Sequence, residues 1–209
     1  MKTEATRPKN DRGTVRTKDC TFLYGTHIIM AGYAGALGTV REASAGRKAL
    51  TERFSPSYMD RILNVPVIKE EERGIIRDIT GRMEIHSPDS AVFLPMGKGG
   101  VYAALWELGE ALNCGLYVRH EDIPVLQETI EVCNLLDINP YMLDSSDCVL
   151  LVTDEAGDLT GELDRHGIPA TEIGNLTSDR KRVIINGENE RYLNKPENST
   201  NGNRGLQNG

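Results

Sequence analysis

The stretch AVFLPMGKGGVYAALWELGEALNCGLYVR, residues 91–119, predicts the fold most directly. Residues 91–94 form a short apolar run that is typical of a strand, and glycines at residues 97–100 follow it. Apolar residues then repeat at helical spacing through residues 101–112, and residues 115–119 return as a strand. The order strand, glycine-rich loop, helix and strand predicts a mixed α/β fold.

The same order of elements occurs upstream, around a second glycine-rich turn. Residues 21–31 are rich in β-branched and aromatic residues and are predicted to form a strand that ends at Gly32. The turn GYAGALGT follows, and a helix is predicted for residues 40–54. A serine and a proline then start a short helix at residues 56–63, and residues 68–79 are predicted to form another.

The rest of the chain continues the alternation of helices and strands. A proline after Ile123 is predicted to open a helix that stops before Pro140, and the apolar run CVLLVT at residues 148–153 suits a buried strand. The remaining predicted elements are a helix at 159–166, a strand at 169–173, and a hairpin of 182–186 and 190–193 around Asn186-Gly187.

We expect these elements to form one domain, a mixed β-sheet flanked by helices, at residues 21–193. The residues before it, 1–20, are predicted to be a disordered polar leader. Residues 194–209 are rich in Asn and Gly and are predicted to be a disordered tail, because they have almost nothing to bury.

Composition excludes several classes of function. The sequence has 24 Lys and Arg against 31 Asp and Glu, a net charge of −7, without a concentrated basic segment, so nucleic acid is not expected as a partner. No run of apolar residues is long enough for a membrane span or a secretion signal. The four cysteines lie far apart and fit no metal-ligand spacing, which indicates reduced thiols in a cytoplasmic protein.

Two glycine-rich turns could bind an anion, since each joins a predicted strand to the N-terminus of a predicted helix. One contains Gly97, Lys98, Gly99 and Gly100, and Lys98 would add a positive charge. The other contains Gly32, Gly35 and Gly38. Neither turn fits a dinucleotide or P-loop fingerprint. The alternative is that tight packing of strand against helix requires these glycines.

The other polar residues give weaker signals. The histidines at positions 27, 86, 120 and 166 lack the spacing of a zinc site, and each is interpreted as a surface residue or one with a structural partner. No nucleophile stands at a recognisable spacing from a base. We therefore predict no catalytic residue and no metal ligand.

A long, ordered set of motifs runs through residues 99–146: a glycine pair, an ALWE helix, an IP turn, a QET helix and an NPY turn ending in SS. This run resembles the C-terminal domain of the family of AIR (aminoimidazole-ribonucleotide) synthase-related proteins and hydrogenase maturation factors. The motifs HIIMAGYAGALGT, IPATEIGNLT and RVIINGENERYLNKP extend the similarity over residues 20–196. The resemblance implies a PurM-like C-terminal domain whose glycine-rich loops face a cleft.

The resemblance also implies an N-terminal domain that supplies most of the carboxylates that hold magnesium and ATP. Because only residues 1–20 precede the expected domain, we expect this chain to lack that half and to bind ATP with magnesium only beside a separate ATP-binding subunit. The loop departs from the family's HDVTEGG-like sequence, with Pro95 in place of the acid and Gly97 in place of the threonine. Leu37 replaces the glutamate of the family's GLEGT turn.

Three hypotheses for function follow from the resemblance. The first is a non-catalytic protein that binds an anion or a protein partner, pairing with itself or with a full-length relative. The second is one subunit of a split ATP-dependent enzyme, in which residues 97–100 bind phosphate. In that case the cleft would be lined by Gly35, Gly38, Thr39, Ser145 and Ser146. The third is a decayed paralogue without a function.

Overall fold

A computed structural model describes residues 25–86 and 92–196, without the side chains of residues 83–86. The predicted leader, residues 21–24 of the first predicted strand and residues 197–209 of the predicted tail lie outside the described residues, and so does Cys20.

The described strands form one mixed sheet. They are β1 (His27–Ala31), β2 (Val92–Pro95), β3 (Gly115–Arg119), β4 (Val149–Thr153), β5 (Ala170–Thr177), β6 (Arg182–Asn186) and β7 (Asn189–Tyr192). Their order across the sheet is β2-β4-β1-β5-β3-β6-β7. Neighbouring strands run antiparallel, except that β3 and β6 run parallel.

Helices cover both faces of this sheet, which confirms the predicted α/β class. They are α1 (Ala36–Ala45), α2 (Arg47–Arg53), α3 (Pro56–Leu63), α4 (Glu70–His86), α5 (Gly100–Leu112), α6 (Gln127–Leu136) and α7 (Ala156–Arg165). Short 3-10 turns occur at His120–Asp122 and Pro140–Met142. Within the described part of the chain, no helix has both the length and the apolar character that crossing a membrane requires.

The alternation of side chains along β1 divides the core into two layers. Ile28 and Met30 face α5, whose buried leucines repeat at helical spacing on one side of the helix. Ile29 and Ala31 point to the opposite face, where they pack with α4 and α7. Helices α1, α2, α3 and α6 form a third, smaller apolar cluster. All four named β1 side chains are fully buried, as expected of a central strand.

Several predicted helix boundaries were wrong: the helix predicted for residues 68–79 is Glu70–His86, and the helix predicted for residues 159–166 is Ala156–Arg165. The helix predicted for residues 40–54 begins earlier, at Ala36, and is two helices that meet at Gly46, which leaves helical geometry with φ −95° and ψ 18°. Glycine favours such a break because it loses more conformational entropy in a helix than other residues. The helix predicted to open after Ile123 begins at Gln127, because Leu126 before it is extended.

Candidate functional site

The loop of residues 97–100 connects the edge strand β2 to helix α5. The N–H groups of Gly100 and Ser145 both donate to Gly97 O, each at 3.2 Å, which anchors one side of the loop to the segment that contains Ser145. Gly97 and Lys98 are exposed. Gly99 is the N-cap of α5 and supplies no side-chain hydrogen bond to the helix. A helix start of this kind presents N–H groups and the positive end of the helix dipole.

Gly100 and Gly97 have different reasons to be glycine. Gly100 has a φ of 73°, and a Cβ there would lie 2.5 Å from Tyr141 O. The start of α5 therefore rests on the backbone of the turn at Pro140–Met142, and glycine is required for that close approach. A Cβ at Gly97 would meet nothing within 4 Å. Close packing therefore explains why residue 100 is glycine, but it does not explain why residue 97 is glycine.

A cleft of about 1150 Å³ opens in front of this loop. Its floor and walls come from the loop, α5, the Pro140–Met142 region and the segment that includes and follows the end of β7. Among its described lining residues, three are cationic, Lys98, Arg191 and Lys195, and one is acidic, Glu107. An excess of positive charge beside a helix N-terminus favours an anionic ligand.

The sequence predicted Lys98 but not the other two cations. Arg191 lies on β7 and Lys195 follows it, so both are distant from the loop in sequence, yet both line the same cleft, and Arg191 packs on Tyr102 of α5. Asn194, Lys195 and Pro196, assigned from the sequence to the tail, line the cleft. No local sequence signal marks these residues as part of a site.

Arg191 is held in place by an aromatic cluster. Its guanidinium carbon lies 5.0 Å from the centre of the Tyr102 ring, and the guanidinium also donates to the Tyr102 hydroxyl. That hydroxyl is 3.0 Å from Nε2 of His120, and the rings of Tyr102 and Tyr141 stack at 5.5 Å. Burial, and then the charge of Arg191, lower the pKa of His120, whereas burial raises the pKa of Tyr102.

The other glycine-rich turn is closed by packing. The N–H of Gly35 donates to Ser145 Oγ at 2.9 Å, and the N–H of Gly38 donates to Asp144 O at 2.9 Å. Thr39 Oγ1 lies 2.8 Å from Gly35 O and 2.9 Å from Thr129 Oγ1. Gly35, Gly38, Thr39 and Ser145 are all buried, and none of them lines the cleft in front of Gly97.

The segment that packs on this turn continues to Asp147, whose carboxyl group is buried. Ser146 is half-buried, and its carbonyl accepts a hydrogen bond from Arg73 at 3.0 Å. Asp147 is only 3% exposed, and its Oδ2 accepts from the N–H of Ile68 at 3.4 Å. Burial raises the pKa of Asp147, although its hydrogen bonds act in the opposite direction. Asp147 thus lies inside the fold and not in the cleft.

The histidines whose side chains are described contact structural partners within the fold. His27 Nδ1 lies 3.0 Å from Glu172, and His166 lies 3.9 Å from Glu162. His120 belongs to the aromatic cluster, and the side chain of His86 lies outside the described residues. In the portions of the chain that the structure covers, no group of three or more His, Cys, Asp or Glu residues could hold a metal ion.

The arrangement of the sheet and its helices defines the fold class. It is similar to that of the crystal structure of E. coli HypE, a hydrogenase maturation protein, with a TM-score of 0.61 at 16% identity, over 87% of this chain and 53% of that one. A chain of a HypE–HypF complex matches with a TM-score of 0.59 at 16% identity, over 87% of this chain and 55% of that one. The fold is therefore the PurM-like fold of HypE.

The sequence itself points in the same direction. The chain is 28% identical over 179 residues to a hydrogenase expression/formation protein of Methanocaldococcus jannaschii, which covers 84% of this chain and 49% of the relative. No protein-family model matches the sequence. The resemblance stated from the motifs is confirmed: the chain is similar to hydrogenase maturation proteins of the AIR synthase-related family. It spans about half the length of the relatives it matches.

Proposed function

We propose that this HypE-like domain works by binding an anion in the cleft in front of residues 97–100, and that it is not a catalyst on its own. The observation that carries the proposal is that Lys98, Arg191 and Lys195 all line the cleft beside the start of α5. Three cations from separate parts of the chain thus border one cleft, together with a helix N-terminus that presents backbone N–H groups. Phosphate is the anion that such a combination of point charges and amide donors suits best.

The geometry favours specific binding of a phosphate group over weak attraction of a counterion by one exposed charge. Lys98 and Lys195 are exposed, so either charge alone would attract an anion only weakly in salt. Arg191 differs from them because Tyr102 fixes its guanidinium in advance of any ligand. A preorganised donor loses less conformational entropy on binding than a mobile one.

Calorimetry tests this proposal with two ligands, inorganic phosphate and ATP with magnesium. We expect phosphate to bind the purified chain, and Lys98→Ala to weaken it by about tenfold because one charge-assisted contact is lost. Lys98→Glu should abolish binding. The matched control is Lys48→Ala, an exposed lysine on α2 that should leave the affinity unchanged. Phosphate binding that is the same in all four proteins would contradict the proposal.

A second candidate function is that of a subunit in a split ATP-dependent enzyme. The size of the cleft favours it, because about 1150 Å³ exceeds the volume of a phosphate and is enough for a nucleotide. This hypothesis requires an ATP-binding partner domain to supply carboxylates for magnesium. The test is ATP hydrolysis by a mixture of this chain with the ATP-binding half of a relative. Turnover that needs both chains and is lost with Lys98→Ala would favour the split enzyme.

We further propose that the rim of the cleft docks a protein, either a second copy of this chain or a full-length relative. Met142 and Tyr192 support this, because both line the cleft and are exposed by 60% and 66%. Light scattering distinguishes a dimer from a monomer, and Met142→Lys should weaken a dimer formed through this rim. A monomer that also fails to bind a full-length relative would contradict this part of the proposal.

A further inference from the structure

A second, smaller pocket of about 280 Å³ lies beside the cleft, shares Arg191 with it and adds residues that the proposed function does not use. It is lined by Tyr102, His120, Asn139, Tyr141, Asn186, Asn189 and Arg191. Tyr102, Asn139 and Arg191 also line the cleft, so these residues form the wall between the two cavities. Asn186 and Asn189, at the two ends of the β6–β7 hairpin turn, line the small pocket and not the cleft.

The wall of the small pocket is rigidly built. The Tyr102 and Tyr141 rings are stacked, and the His120 ring centre lies 4.4 Å from that of Tyr141. The Tyr102 hydroxyl contacts both His120 and Arg191. Because each ring is packed against another ring, the rings form the wall of the pocket. They leave no gap between two ring faces in which the ring of a ligand could stack. Their main effect is to fix the guanidinium of Arg191.

The polar lining is made of one cation and neutral donors. Among the described residues that line the pocket, Arg191 is the one that carries a charge at neutral pH, and none is Asp or Glu, since burial keeps His120 neutral. Asn139 Oδ1 accepts the N–H of Tyr141 at 3.0 Å, which leaves the amide nitrogen of Asn139 as a donor. Asn186 and Asn189 are exposed amides that can both donate and accept.

We propose that this pocket binds a small hydroxycarboxylate. The planar fork of Arg191 matches a carboxylate, and the three asparagine amides match hydroxyl and carbonyl oxygens. The cleft, with three cations at a helix N-terminus, suits a phosphate instead. The two neighbouring cavities are therefore expected to prefer different anions, with Arg191 at the boundary of both. The carboxylate site does not require that the cleft bind phosphate.

NMR titration of the folded chain tests the proposal with L-malate in one arm and inorganic phosphate in the other. We expect malate to shift the ring signals of His120 and the side-chain amide signals of Asn186 and Asn189. Asn189→Asp is nearly isosteric and places a negative charge in the pocket, so it should weaken malate binding by about tenfold or more. Asn189→Ala should weaken it less, because it removes a hydrogen bond without adding repulsion.

The matched comparison is with Lys98→Ala, which alters only the cleft. We expect Lys98→Ala to leave the malate affinity within about twofold, because a screened charge outside the pocket contributes little, and Asn189→Ala to leave the phosphate affinity unchanged. If malate binds but Lys98→Ala weakens it as much as Asn189→Ala does, the carboxylate lies in the cleft and the proposal is wrong. If malate at millimolar concentration shifts none of the three residues, the proposal is also wrong.

Tyr102→Phe separates a positioning effect from a folding defect. The variant keeps the ring that stacks on Tyr141 but removes the hydroxyl that accepts from Arg191 and contacts His120. We expect an unchanged unfolding midpoint and a severalfold loss of malate affinity. Unchanged affinity in a folded variant would show that Arg191 does not need this support, and it would overturn the preorganised carboxylate site.

Discussion

The two glycine-rich turns of this chain are alike in sequence and opposite in structure. Each joins a strand to a helix, yet the turn at Gly35–Thr39 is buried against the segment of residues 140–147, while the loop at residues 97–100 opens to a cleft. The difference lies in what packs on each turn. In the first turn the N–H groups of Gly35 and Gly38 already have acceptors within the protein, so a ligand would have to displace them. A glycine-rich turn therefore indicates an anion site only when nothing in the fold fills it.

The largest expected effect is on the free energy of unfolding, when a Cβ is added to the first turn and, as a comparison, to the second. Gly35 has a φ of 68°, and a Cβ there would lie 2.8 Å from Pro140 O. We expect Gly35→Ala to lower the free energy of unfolding by about 2–4 kcal/mol, from backbone strain and overpacking together. Gly97→Ala is the control and should change it by less than about 0.5 kcal/mol, because its Cβ would meet nothing within 4 Å. Urea denaturation measures both, and equal losses would show that the turns do not differ in packing.

Removing a hydroxyl that makes hydrogen bonds within the first turn should lower the free energy of unfolding by somewhat less than Gly35→Ala does. Thr39 is fully buried, and its hydroxyl contacts Gly35 O and Thr129 Oγ1. Thr39→Val keeps the shape and leaves Gly35 O its bond from the backbone N–H of residue 39, but it removes the hydroxyl that bonds buried Thr129 Oγ1, so we expect a loss of about 1–3 kcal/mol in unfolding free energy. Thr51→Val on α2 removes an exposed hydroxyl and serves as the control. A Thr39→Val variant as stable as the control variant would mean that these bonds do not close the turn.

Substitutions around the exposed loop of residues 97–100 should instead change the affinity for phosphate. Lys195 lines the cleft from the far end of the chain, so Lys195→Ala should weaken phosphate binding by about threefold to tenfold without changing stability. Lys181→Ala is the matched control, because Lys181 is an exposed lysine beside Asp179 and does not line the cleft. The measurement is calorimetry at low and moderate salt. Equal affinities for the two variants would remove residues 194–196 from the site.

The smallest effect on stability is expected from a substitution of Asp147, at the end of the segment of residues 140–147 that packs on the first turn. Burial raises the pKa of the Asp147 carboxyl in the folded state, so the folded protein favours its protonated form. The stability it contributes is therefore complete below the pKa of the unfolded chain and is lost as pH rises through the folded pKa. Asp147→Asn should remove this part of the pH dependence and be at least as stable as the natural protein at neutral pH. Thermal unfolding between acid and neutral pH tests this, and a variant that is less stable at neutral pH would refute it.

Much of the local structure could be predicted because its signals are local. Residues 56–63 have the boundaries that the serine-proline start indicates, and residues 115–119 form the strand that was predicted there. The helix break at Gly46 was not predicted although the glycine is a local signal for it, and the position of β1 between β4 and β5 was not predicted because it depends on pairing between distant segments. The candidate site was predicted in part: Lys98 stands beside the glycines in sequence, whereas Arg191 and Lys195 line the same cleft through packing of distant segments.

The most direct test is one NMR titration of the backbone amides with inorganic phosphate, which observes both turns in the same sample. We expect the amides of residues 97–101 to shift with saturating phosphate while those of Gly35, Gly38 and Thr39 do not. Shifts at the first turn, or at neither turn, would contradict the conclusion that packing closes one glycine-rich turn and leaves the other free to bind an anion.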